Sequence, residues 1–157
     1  MALDTGVKEF LDQYYPSTLE SVDLAEGEIL KAAEQTGFDE DDQHRIGMAV
    51  RECLVNAVVH GNRYNRNKKV HVSVSAEKFS PADEKSGQRT RFTIRITDQG
   101  EGFEMQEVPD PLHDANLLRH SGRGLFLMGA FMDDLKVCKA AHEGTEVTLV
   151  KNIGPHE

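Results

Sequence analysis

A chain of 157 residues, 38% hydrophobic and 29% charged, has the make-up of one globular domain built on a single core. Its 27 acidic residues against 18 basic ones leave a formal net charge of −9, which argues against a nucleic-acid duplex as a direct partner, because phosphate binding needs clustered Lys and Arg. No apolar run approaches the roughly 20 residues that span a membrane, and no basic start followed by an apolar stretch marks a secretory signal, so the default expectation is a cytoplasmic protein without a membrane anchor.

Residues 1 to 15 are mixed and read as a loose arm with a first edge strand near Gln13-Tyr14-Tyr15, which Pro16 ends. Ser17-Thr18-Leu19-Glu20 has the S-x-x-E pattern of a capping box, so a helix is expected from Thr18. Leu19, Val22, Ala25, Ile29 and Ala33 give it a core face, and Thr36-Gly37 stop it. Gly27 weakens its middle by ~1 kcal/mol relative to Ala. The acids from Asp39 to Asp42 suit the positive end of a second helix, expected to run to His60.

That second helix organises the rest. Ile46, Val50, Cys53 and Ala57 are spaced by four, three and four and make one core-facing stripe. Glu52, Asn56 and His60 fall four apart and stack along another face. A half-buried row of acid, amide and imidazole is expensive unless something uses it. Gly61 is placed to cap the helix C-terminus.

Tyr64 to Lys69 is a basic, Asn-rich turn, followed by a strand in which Val70, Val72 and Val74 alternate. Ser80 to Thr90 is a polar connection, and Arg91 to Thr97 returns as a second strand with Phe92, Ile94 and Ile96 on one face. Asp98-Gln99-Gly100-Glu101-Gly102 follows at the strand end. Glu104 to His120 has little periodicity and the length of a lid. Gly122 and Gly124 open a further helix, Arg123 to Met132, with core spacing at Leu125, Met128 and Phe131-Met132. Glycines at a helix start allow close backbone approach to a phosphate, and the free N–H groups there attract anions. Leu135 to Val137 and Val147 to Leu149 close the pattern as strands. The fold class is therefore α+β, a two-layer α/β sandwich with helices on one face of a mixed, mainly antiparallel sheet. Cys53, on the core stripe, and Cys138, in a strand, read as buried thiols rather than a disulfide.

Three blocks in this order, Arg51 to Asn62, Ile94 to Phe103 and Ser121 to Met132, resemble the N, G1 and G2 boxes of the GHKL ATPase superfamily. Glu143-Gly144-Thr145 resembles its last box. Within the superfamily the chain is most similar to the stand-alone anti-sigma factor serine-protein kinases, through the H-G-N after the N box and the S-G-R-G-L-F-L-M-x-x-F-M-D run. The likeness covers roughly Tyr15 to Lys151.

The resemblance implies the Bergerat-type ATPase fold, with ATP and Mg²⁺ as ligands. It makes Glu52 the general base that takes a proton from an attacking hydroxyl. Asn56 becomes the Mg²⁺ ligand, through an amide oxygen that phosphate oxygens and waters complement. Asp98 accepts from the adenine amino group, with Thr145 as a second contact. Gly100, Gly102, Gly122 and Gly124 line the nucleotide, and Arg119 and Arg123 meet its β- or γ-phosphate. Leu125 is carried with this set, although the run from Leu125 to Met128 also reads as core. His60 either supports the site or caps its helix.

The implied function is an ATP-dependent serine/threonine protein kinase that binds a sigma factor and phosphorylates a serine on an anti-sigma-factor antagonist, with a homodimer expected by analogy. The first helix carries Asp23, Glu26 and Glu28 where family members often carry basic residues. A nucleotide-dependent partner-binding module without kinase activity is the alternative. A detached sensor histidine kinase domain is disfavoured, because no dimerising helix or phosphoacceptor box precedes the ATP site.

Overall fold

Strands whose apolar residues alternate with polar ones form here a sheet with one buried face. The computed structural model describes residues 7–80, 87–100, 129–140 and 144–154. Its elements are β1 (Val7–Pro16), α1 (Leu19–Thr36), α2 (Glu40–Val55), a π-helical turn (Asn56–Gly61), β2 (Lys69–Phe79), β3 (Arg89–Thr97), β4 (Asp134–Lys139) and β5 (Thr145–Ile153). The five strands lie in the order β1-β2-β3-β5-β4, and every described pairing is antiparallel. β1 is longer than its sequence suggested but ends at Pro16, which lacks an N–H to continue the ladder. It is an edge strand, with a register shift between Glu9 and Leu11.

Val70, Val72 and Val74 of β2, Phe92, Ile94 and Ile96 of β3 and Leu149 of β5 point to the same side and are buried. Against them lie Val22, Ala25, Ile29 and Ala33 of α1 and Ile46, Val50, Cys53 and Ala57 around α2, all in one cluster. Large side chains buried this completely each contribute about 1.5–3 kcal/mol relative to exposure. Phe38, just after α1, sets its ring edge-on to Phe92 with centroids 5.4 Å apart, tying the helix turn to the middle of the sheet.

Several local expectations are corrected. The N-cap of α1 is Thr18, whose hydroxyl accepts from the Ser21 backbone N–H at 3.2 Å. Glu20 is thus one residue short of the position a reciprocal box requires, and Ser17 instead turns inward and donates to the Lys68 carbonyl at 2.6 Å. Leu19, the first helical residue, is 51% exposed, and Ser21 holds the place beside Val22 in the buried stripe. Cys138 is exposed. In β4 it is Leu135 and Val137 that pack against the core, so the pleat puts Cys138 on the other face. Gly37 does stop α1, in the left-handed conformation at φ 111°.

Candidate functional site

α2 starts as its acids predict, with the Asp39 carboxylate accepting from the Asp42 N–H at 2.8 Å. Its inward stripe seats it on the core, which brings the polar row to the rim: Glu52 is half-buried, Asn56 is buried and His60 is exposed.

The helix does not run regularly to His60, and Gly61 is not its cap. From Asn56 the turn widens, and the Asn62 N–H bonds to the Ala57 carbonyl five residues back at 2.8 Å. Such π segments recur at functional sites. The left-handed stop falls later, on Arg63 at φ 52° and Tyr64 at φ 59°, where the Tyr64 N–H closes on the Val58 carbonyl at 3.0 Å. The wide turn presses Gly61 against the end of β3. A Cβ on Gly61 would overlap the Asp98 carboxylate, and one on Gly100 would overlap the Gly61 carbonyl. Gly144, at φ 101°, is packed equally closely on the Asp98 carbonyl. Three glycines from distant parts of the chain therefore form a close-packed collar at Asp98.

Asp98 is 3% exposed. Its Oδ1 accepts from the Gly100 N–H at 3.0 Å and the Thr145 N–H at 3.2 Å, and its own N–H donates to the Thr145 carbonyl at 3.0 Å. Burial raises its pKa above the ordinary 3.8, opposed by the two backbone N–H bonds and by the charge of Lys68. A carboxylate offers about four lone-pair positions, so acceptor capacity remains for a ligand N–H. Burial also pushes the Cys53 thiol up, with the Asp98 and Glu52 carboxylates adding to the shift. The close packing of Gly61 on the Asp98 carboxylate places the end of the α2 segment beside the strand end.

Sequence reasoning assigns Asn62 no role beyond the H-G-N run, yet it is 2% exposed and joins four segments. Its Nδ2 donates to Ser17 Oγ at 2.8 Å and to the Lys69 carbonyl at 3.0 Å, while its Oδ1 accepts from the Gln99 N–H at 2.7 Å. The Gln99 side-chain oxygen in turn accepts from the Lys69 N–H at 2.6 Å. Beside it an open cavity of about 150 Å³ is lined by Gly61, Asn62, Arg63, Asn65 and Lys68.

The expected residues Glu52, Asn56, Asp98, Gly100 and Thr145 thus lie on α2, its π turn, the end of β3 and the start of β5, and Asp98, Gly100 and Thr145 are in direct contact. Gly102, Arg119, Gly122, Arg123, Gly124 and Leu125 lie outside the described residues, as do the stretch from Glu104 to His120 and most of the helix expected from Arg123. Among the described residues no group of three His, Cys, Asp or Glu side chains could hold a metal ion. A divalent cation here would depend on few protein oxygens and several ligand oxygens, as Mg²⁺ on a triphosphate does. The buried Asp98 carboxylate is an acceptor suited to an N–H donor.

The model of the histidine kinase-like ATPase domain matches residues 15–151. A serine-protein kinase RsbW of Bacillus velezensis is 28% identical over 149 residues, covering 91% of this chain and 85% of that protein. One from Staphylococcus epidermidis is 28% identical over 155 residues, covering 94% and 89%. An anti-sigma F factor of Anoxybacillus flavithermus is 32% identical over 115 residues, covering 72% and 71%.

Proposed function

Because the chain belongs to the histidine kinase-like ATPase domain family, we propose that it is an ATP-dependent serine-protein kinase that holds a sigma factor and phosphorylates a serine on an anti-sigma-factor antagonist. Relatives that match it over most of their length carry the names serine-protein kinase and anti-sigma F factor, which supports both halves of that reading. The observation that carries it is the Asp98 carboxylate, buried and fixed by two backbone N–H groups within reach of the helix bearing Glu52 and Asn56.

In this reading Asp98 accepts from the adenine amino group, Thr145 adds its hydroxyl at the base, and Gly100 lets the backbone come close to the ring. The Asn56 amide oxygen is a hard ligand suited to Mg²⁺. When bound, MgATP supplies a transferable γ-phosphoryl group whose charge the metal neutralises. Glu52, half-buried one turn before Asn56, takes the proton from the attacking serine hydroxyl. Gly102, Gly122, Gly124, Leu125, Arg119 and Arg123 complete the nucleotide site by resemblance.

The test is transfer of labelled phosphate from ATP to a candidate antagonist. The proposal predicts label on a partner serine with the wild-type chain and ~10²–10⁴-fold slower labelling with Glu52→Gln. ATP binding with no transfer to any antagonist would instead identify a nucleotide-dependent binding module.

A further inference from the structure

Asn62 lies outside every role assigned above, yet it is the most heavily used buried amide among the described residues. One side chain spends both its donor and its acceptor on segments 45, 7 and 37 residues away. Two of those bonds anchor it to fixed structure, the Ser17 hydroxyl ahead of α1 and the Lys69 carbonyl at the start of β2. The third holds the Gln99 N–H, the peptide that joins Asp98 to Gly100. Its backbone N–H meanwhile closes the π turn that begins at Asn56.

The same residue therefore ends the helix that carries Glu52 and Asn56 and sets the course of the turn that carries Asp98. We infer that Asn62 is a positioning residue that locks the base-recognising carboxylate at a fixed offset from the metal-bearing helix, and so sets adenine selectivity without touching the nucleotide. Bidentate use of a single amide suits this role, because Oδ1 and Nδ2 cannot move independently: shifting the Gln99 peptide must break a bond at Ser17 or Lys69 as well. The inference rests on the reading of Asp98 as the adenine contact.

The experiment is calorimetric titration of the full chain with ATP and with inosine triphosphate, in which a carbonyl replaces the 6-amino group. The wild-type chain should prefer ATP. Asn62→Ala should lose roughly tenfold of that preference, the size expected when one buried hydrogen bond beside a charged group goes slack. Asn62→Asp keeps the acceptor for Gln99 but loses both donors, and should fall between the two. Val22→Ala, a core truncation on α1, should lower the melting temperature and leave the preference untouched, so generic loosening is separated from positioning. If Asn62→Ala does not fold, Asn62→Asp alone decides, and wild-type selectivity in it would overturn the inference. A folded Asn62→Ala with undiminished preference would do the same. Absence of any preference in the wild-type chain would instead remove the Asp98 reading, and this inference with it.

Discussion

The two ends of the candidate site are built by opposite means. At the proposed base end, Asp98 is gripped by backbone: two N–H donors, a hydrogen bond from its own N–H to the Thr145 carbonyl, and the close-packed Gly61, Gly100 and Gly144. At the proposed phosphate end, Glu52 and Asn56 are side chains on a helix face, one half-buried and one buried. Recognition of a rigid base needs a fixed acceptor, which backbone supplies at little cost in entropy. Proton transfer needs a carboxylate that can follow its proton, which a half-buried side chain on a well-seated helix allows. Substitutions at the two ends should therefore fail differently, one in binding and one in turnover.

The largest separation is expected from Glu52→Gln, which keeps shape and hydrogen bonding but cannot accept a proton. Phosphotransfer should fall by ~10²–10⁴-fold, the usual contribution of general base catalysis, while ATP affinity by calorimetry stays at the wild-type value. Equal loss of both would remove the distinction between the two ends.

Gly144→Ala and Gly61→Ala test the collar. Gly144 combines φ 101° with backbone contact, and Gly61 faces the Asp98 carboxylate. Each should cost about 1–3 kcal/mol of stability in chemical denaturation, as overpacking does, and Gly144→Ala should cost the more because backbone cannot swing aside. Gly27→Ala, where an added Cβ meets nothing within 4 Å, should not destabilise α1, since Ala is the better helix former by roughly 1 kcal/mol.

Asp98→Asn probes the base end more gently. Burial holds the Asp98 carboxyl above its ordinary 3.8, so the fold favours its protonated form. The ionised group then works against stability, with no effect below the unfolded value and a growing one as pH rises through the folded value. Asp98→Asn should accordingly melt at or above the wild-type temperature at pH 7, and the two should converge as pH falls below 3.8. Adenine selectivity should be lost all the same. The smallest effect belongs to Arg51→Ala. Arg51 bridges Asp23 and Glu26 at 2.8 Å each, but it is 52% exposed. Solvent screens such pairs, so the melting temperature and ATP binding should hardly change.

What could be read in the sequence follows the reach of the signals. Periodicity is local, so the stripe at Ile46, Val50, Cys53 and Ala57 and the alternation of Phe92, Ile94 and Ile96 were both legible and are all buried. Asp39 and Gly37 acted as helix punctuation because capping needs only near neighbours. The failures sit where a distant segment decides. Ser17 and Thr18 are equivalent as caps until Lys68 and Asn62 claim the Ser17 hydroxyl. Gly61 looked like a helix stop, but its lack of a side chain serves Asp98, 37 residues on, a distance over which no pattern runs. The π turn was invisible as well, since Asn56, Ala57 and His60 simply continue the polar and apolar spacing of the helix before them. Cys138 shows the limit of composition alone: a strand assignment says nothing of which pleat faces the core. Asp98 was singled out through the likeness of its block to the G1 box, and the structure adds that two backbone N–H groups hold its carboxylate.

The most direct test of the whole account is calorimetric titration of the purified chain with ATP, in the presence and absence of Mg²⁺, alongside Asp98→Asn. The account predicts saturable binding that Mg²⁺ strengthens and whose preference for adenine Asp98→Asn removes without loss of fold. No heat of binding from the folded wild-type chain, or undiminished adenine-selective binding by Asp98→Asn, would contradict it.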